Sequence, residues 1–183
     1  MKTKISTILA EISTVLSKVE DSQVDLMIDQ ILQANKIVVC GAGRVGMAIR
    51  GFGMRLGHFG FNAYTLGDST VPGIAEGDLL IVASGSGETQ TIFDLVSIAS
   101  KNKCNIVAVT GNPESRIGKL ADVVVKITAP SKTKAIENFI SVQPMTTLNE
   151  QSLGIFFDAV CLKIMDRTGE NHDSMWARHS NLE

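Results

Sequence analysis

Ser84, Ser86 and Thr89 place three hydroxyls within six residues, with Gly85 and Gly87 between them, directly after the apolar run L-L-I-V-A. A strand end of this composition, followed by a helix starting near Glu88, can bind a phosphate without any lysine. The hydroxyls donate and accept, the glycines let backbone N–H groups come close, and the helix N-terminus adds roughly half a positive charge. The bland alternative is that Ser86 caps the helix and the glycines only make the turn. A second glycine turn, G-A-G-R-V-G at 41–46, follows the apolar run I-V-V-C and has the spacing G-x-G-x-x-G. That spacing is a weak sign of a dinucleotide site, and its context asks for an acidic residue about 20 positions further on. Asp68 meets the request, 22 residues after Gly46. Against it, the chain presents a second phosphate-type loop where a nicotinamide protein needs a second half or a substrate domain. The remaining candidate is Glu150, three residues after Thr147 and just ahead of an apolar helix. From the residues alone, T-x-x-E reads as a reciprocal capping box.

Other reactive side chains are few. The three histidines, His58, His172 and His179, and the three cysteines, Cys40, Cys104 and Cys161, show no spacing suited to a metal site. The cysteines read as small core residues, and no metal or cofactor is expected. His58 reads as a packing or capping residue at a helix end, and His172 as solvated. A net charge of -2 with Lys/Arg and Asp/Glu interspersed leaves no basic stripe for nucleic acid. No apolar run has signal-peptide or membrane-span length, so no membrane partner and a cytoplasmic location are expected.

The elements that must position these residues follow from periodicity. Two amphipathic helices occupy residues 1–35: Ile5, Ile8, Leu9, Ile12, Val15, Leu16 and Val19 share one face, and Val24, Met27, Ile28, Ile31 and Leu32 another. Asp21 and Ser22 are candidate caps for the second. From residue 36 to 128 five short apolar runs end in small residues, as strands covered on both faces do. Helix-length stretches at 44–58, 88–101 and 114–120 separate them, which predicts an α/β fold. It is a three-layer, doubly wound, five-stranded parallel sheet in the flavodoxin-like order 2-1-3-4-5. In that order both glycine turns end neighbouring strands, where open sheets bind ligands. Residues 129–151 read as a loop with a short strand or helical turn. A closing helix at 148–168 buries Leu153, Phe156, Phe157, Val160, Leu162 and Ile164, and Gly169 ends it. The polar tail, 170–183, carries Met175 and Trp176 as an apolar anchor and is expected to dock. At 183 residues, a single domain can bury roughly 70% of its unfolded surface.

The pair G-A-G-R-V-G and S-G-S-G-E-T, two strand-loop-helix units about 40 residues apart, resembles the SIS (sugar isomerase) domain family. The family's phosphate loop, S-x-S-G-x-T, is here Ser84, Ser86, Gly87 and Thr89, and the resemblance spans the whole chain as one SIS domain. The ending M-W-A-R-H-S-N-L-E and the short length bring it nearest to members that convert a 3-hexulose 6-phosphate into fructose 6-phosphate. The resemblance implies proton transfer through an enediol, without metal, in a homo-oligomer, a tetramer, with sites near subunit interfaces. It implies a small sugar phosphate as the partner, held by Ser84, Gly85, Ser86, Gly87, Glu88 and Thr89. Gly43 and Arg44 would line the sugar, Glu150 would act as the proton-transferring base, and His179 would be a second acid/base from one protomer or another. A departure accompanies it: Arg44-Val45 stands where many SIS domains carry a serine, so a guanidinium would grip the open-chain sugar. A sugar-phosphate sensor and a pentose 5-phosphate isomerase are the alternatives within the family.

Overall fold

The computed structural model describes residues 1–130 and 140–182. Two helices, α1 (Lys2–Leu16) and α2 (Asp21–Gln33), open the chain, and β1 (Ile37–Gly41) leads into α3 (Gly43–His58). After β2 (Ala63–Thr65) come β3 (Leu79–Ala83), α4 (Gln90–Lys101), β4 (Asn105–Thr110) and β5 (Val123–Lys126). The chain closes with α5 (Thr147–Thr168) and α6 (His172–Trp176). All five strands run parallel in the order β2-β1-β3-β4-β5. Fully buried Leu79, Leu80, Ile81, Val82 and Ala83 form the central strand, so the continuous apolar runs mean what they should in a doubly covered sheet.

The core has two layers. On one face Ile31, Ile49, Phe52, Leu56, Phe157 and Ile164 pack with Val39 and Ile81; on the other Val96, Ala99 and Ile117 pack with Val38, Leu80 and Val82. Phe52 of α3 stacks on Phe157 of α5 with centroids 4.7 Å apart and planes 14° from parallel. Phe52 follows the start of α3 by nine residues, and Phe157 that of α5 by ten. Because Arg44 and Glu150, at the starts of these helices, also meet at 2.9 Å, the two run side by side in the same direction, with their N-termini level at the carboxyl end of the sheet.

Several local expectations are corrected. The stretch 114–120 is a turn with a single 3-10 segment, Gly118–Leu120, and a Cβ on Gly118 would fall on the Pro113 carbonyl, so this tight turn requires glycine there. Glu20 rather than Asp21 or Ser22 precedes α2, and it makes no capping bond. Leu162 is 64% exposed on the outer face of α5. The short strand or turn expected in 129–151 falls partly on 131–139, which lie outside the described residues. Beyond them, Glu11 of α1 accepts bonds from Ser141 Oγ (2.7 Å), Val142 N–H (2.8 Å) and Gln143 Nε2 (2.8 Å), fixing the approach to α5. Burial pushes the Glu11 carboxyl up, but these three donors outweigh it and leave it lowered.

The first glycine turn is a packing device. A Cβ on Gly46 would lie 2.6 Å from the Gly41 carbonyl oxygen, and Gly43 takes φ +58°, which favours glycine. Asp68 pairs with Arg50 of α3 at 2.9 Å. Gly46→Ala should cost about 1–3 kcal/mol in urea unfolding, since only backbone atoms surround the added methyl. Gly51→Ala, whose Cβ meets open space, should gain about 0.5–1 kcal/mol. The opposite order of stabilities would contradict this packing.

Candidate active site

Gly41 and Ala83 are register partners at the ends of β1 and β3, so the two glycine turns leave the sheet side by side. Between them and the start of α5 lies a cavity of about 360 Å³, within the range of small-molecule sites. The N-termini of α3, α4 and α5 all meet there, because Gly43, Arg44, Thr89, Thr146 and Thr147 line it together. Three helix ends bring unpaired N–H groups and partial positive charge to one place, a setting for an anion.

The loop after β3 forms one wall. Ser84 Oγ and Thr89 Oγ1 lie 3.1 Å apart, Gly87 N–H donates to Ser84 Oγ at 3.2 Å, and Glu88 N–H donates to Ser86 Oγ at 3.2 Å. Backbone N–H groups of Gly85, Ser86 and Thr89 donate to no group among the described residues. Gly87 takes φ +69°, and a Cβ there would land on Ser115 Oγ, so no other residue fits the turn. Ser84, Gly85, Ser86 and Thr89 line the cavity, while Gly87 and Glu88 shape the loop from behind. The Glu88 carboxylate turns outward to Arg116, accepting from Nε at 2.7 Å and from the backbone N–H at 3.0 Å. Those bonds hold its carboxyl below the usual range and keep its charge away from the anion site.

Arg44 and Glu150 form the other wall. Arg44 Nη1 lies 2.9 Å from Glu150 Oε2 and donates to Thr147 Oγ1 at 3.1 Å, while Thr146 Oγ1 donates to Glu150 Oε1 at 2.7 Å. The glutamate side chain is 14% exposed and the arginine 51%, so the carboxylate is mostly enclosed and its partner opens to the cavity mouth. The capping box expected from Thr147 and Glu150 does not form: Thr146 is the N-cap and makes no capping bond. Both threonines instead serve the ion pair. Thr146 and Thr147 were not legible as site residues, nor was Asn149, which is 3% exposed and lines the cavity beside Gly85. Met145, with φ +56°, was missed too; a non-glycine residue in that region at a site rim marks local strain. The only sequence sign was a dense polar run, T-T-L-N-E, at a helix start.

His179 lies elsewhere within its own chain. Its ring sits 5.2 Å from His58 and 4.9 Å from Trp176. His58 is fourteen residues beyond Arg44 on α3, or about 21 Å at 1.5 Å per residue. Glu150 therefore does not meet the His179 of the same chain. The tail lies against its own α3 and α5, and of its two apolar residues Met175 packs on the core while Trp176 remains 66% exposed. Arg178 ties it down, donating to His58 O at 3.0 Å and to both Glu170 oxygens at 2.8 and 2.9 Å. The thiols of Cys40, Cys104 and Cys161 are all buried and raised, to about 11, 12 and 12, mainly by desolvation. Among the described residues no helix is long and apolar enough to cross a membrane, and no cluster could hold a metal.

This fold and this paired-loop site define a class, and residues 30–153 match the SIS domain: the chain belongs to the SIS-domain family. The likeness extends to particular relatives. The chain is 39% identical to a Bacillus subtilis protein named 3-hexulose-6-phosphate isomerase, covering 98% of this chain and 97% of that one. It is 40% identical to a Mycobacterium gastri protein of the same name, covering 98% and 89%. Among solved structures, a hypothetical protein from Methanococcus jannaschii, with an inferred molecular function of 3-hexulose-6-phosphate isomerase, superposes with a TM-score of 0.85 at 30% identity, covering 99% of each chain.

The tail yields a pH-dependent expectation. Hydrogen bonds from Arg178 and Ser174 lower the Glu170 carboxyl from 4.5 to about 2. A depressed folded value means the pair supports docking above the ordinary range and is lost as pH falls from about 4.5 towards 2. NMR titration of Glu170 should therefore give an apparent pKa near 2. A value near 4.5 would mean that Arg178 does not hold the tail in solution.

Proposed function

We propose that this chain is a 3-hexulose-6-phosphate isomerase, interconverting 3-hexulose 6-phosphate and fructose 6-phosphate. The observation that carries the reading is the cavity itself. A hydroxyl- and amide-rich loop forms one wall and an Arg44–Glu150 pair the other, at adjacent strand ends. Near-full-length identity of 39–40% to proteins of that name supports it. Ser84, Gly85, Ser86 and Thr89 take the phosphate, with Gly87 and Glu88 giving the loop its shape. The sugar extends toward α5, past Gly43 and Arg44.

Glu150 is the proton-transferring base. In the open-chain ketose its carboxylate takes the proton from C2, and the electron pair runs through C3 to the carbonyl oxygen, giving the 2,3-enediolate. A proton passes from the C2 hydroxyl to the C3 oxygen. The C2 carbonyl then forms as C3 takes the first proton back from Glu150. Arg44, half-open to the cavity, stabilises the negative oxygen, the charge that rises most in the transition state. Thr146 and Arg44 hold the carboxylate in one orientation beforehand.

The chain acts as one domain in a cytoplasmic homotetramer. Exposed Met47 and Met54 on α3, with Ile155 and Leu162 on α5, offer an apolar face for a second copy. Three buried thiols suit a reducing compartment. If His179 acts in proton transfer, it does so in the site of a neighbouring protomer.

Glu150→Gln should lower kcat about 10²–10⁴-fold with substrate binding and Tm retained; a normal kcat would leave Glu150 only as Arg44's partner. Ser86→Ala combined with Thr89→Ala should raise KM about ten-fold with little change in Tm, and an unchanged KM would remove the loop from the site.

A further inference from the structure

Asn149 is the cavity residue that the reaction above leaves without a task. It stands in the first turn of α5, one position before Glu150, and is 3% exposed. Its side chain lies against the phosphate-side turn. A Cβ on Gly85 would come within 2.8 Å of its Nδ2 and 3.4 Å of its Oδ1, so Gly85 must be glycine to admit it. The residue lines the cavity. No side-chain hydrogen bond of its amide occurs among the described residues, and its atoms are not among the enclosed unpartnered ones, Gln143 Oε1, Gln151 Oε1 and Ser152 Oγ, so the amide is open to the cavity. A primary amide carries two donors and an acceptor oxygen, and burying it unmatched costs far more than burying an apolar group of the same shape. Buried amides are accordingly paired, by protein, by water or by what fills the cavity.

Position says which part of a ligand it meets. Asn149 has Gly85 of the anion-binding loop on one side and Glu150 as its chain neighbour on the other. In a hexulose 6-phosphate with its phosphate in the loop and C2 and C3 at Glu150, the carbons between are C4 and C5. Each bears a hydroxyl, which donates and accepts at one point, as the amide does. We propose that Asn149 is a specificity-determining residue, whose amide hydrogen-bonds the sugar hydroxyls between the phosphate and the reacting carbons. The role rests on the isomerase reading. A sugar phosphate with a methylene at that place would leave the amide buried and unpaired, so the site would reject it.

The test compares the full-length wild type with Asn149→Leu, close in shape but apolar, and with the smaller Asn149→Ala. Each is assayed on fructose 6-phosphate and on its 4-deoxy and 5-deoxy analogues. Comparing proteins on the same three compounds cancels differences in their ring forms. The expected result is a loss of about ten-fold in kcat/KM on fructose 6-phosphate for each variant. With it, the wild type's preference over at least one deoxy analogue should shrink by a similar factor. Tm of Asn149→Leu should be unchanged or higher, because the substitution removes no hydrogen bond within the protein; a residue that merely supports the fold would lower it. Unchanged kcat/KM, or an undiminished preference over both analogues in the variants, would overturn the proposal. A wild type inactive on fructose 6-phosphate would be a different failure, that of the isomerase reading, and would take the role of Asn149 with it.

Discussion

The site depends on one packing arrangement: α3 and α5 lie parallel, locked by the stacked rings of Phe52 and Phe157. That stack fixes how far each helix reaches beyond the sheet. It brings Arg44, at the start of one, to 2.9 Å from Glu150, at the start of the other. A shift of one residue along either helix moves its end by about 1.5 Å and turns its side chains by roughly 100°. Either change would separate the guanidinium from the carboxylate. The Glu11 bonds to residues 141–143 set the same register from the chain's other side.

Electrostatics divides the cavity into two halves with different tasks. Three helix N-termini and a hydroxyl-rich loop favour a dianion without placing any lysine beside it. The one carboxylate in that loop, Glu88, is drawn outward by Arg116, whose guanidinium also lies 4.4 Å over the Phe93 ring. Glu150, on the opposite wall, is instead enclosed and oriented by Thr146 and Arg44. A carboxylate is thus turned away from one wall and held in place on the other.

The sheet was legible because strands covered on both faces need unbroken apolar runs, and the five runs supply them. The convergence of Ser84, Gly85, Ser86 and Thr89 on one cavity was legible because these residues are nearly contiguous, so it is a local matter. The expected helix at 114–120 is a tight turn in which Gly118 approaches the Pro113 backbone, a contact that periodicity does not report. Leu162 failed because α5 presents apolar residues on its solvent side too. What joins Arg44 to Glu150 is tertiary packing between distant segments, and only the family resemblance suggested they share a site. Thr146 and Asn149 look like ordinary helix-start residues; their place in the cavity follows from which way the first turn of α5 faces. The location of His179 depends on the path of a tail pinned by Arg178, which its polar sequence does not encode.

Placing the base beside C2 and C3 of the sugar, with the phosphate anchored in the loop, is the central claim. Incubating fructose 6-phosphate with the protein in deuterium oxide and locating the label by NMR tests it most directly. Deuterium should enter at C3, while both C1 hydrogens are retained. Label entering at C1 with C3 untouched would mean a 1,2-enediol, a different register of the sugar against Glu150, and would contradict the assignment.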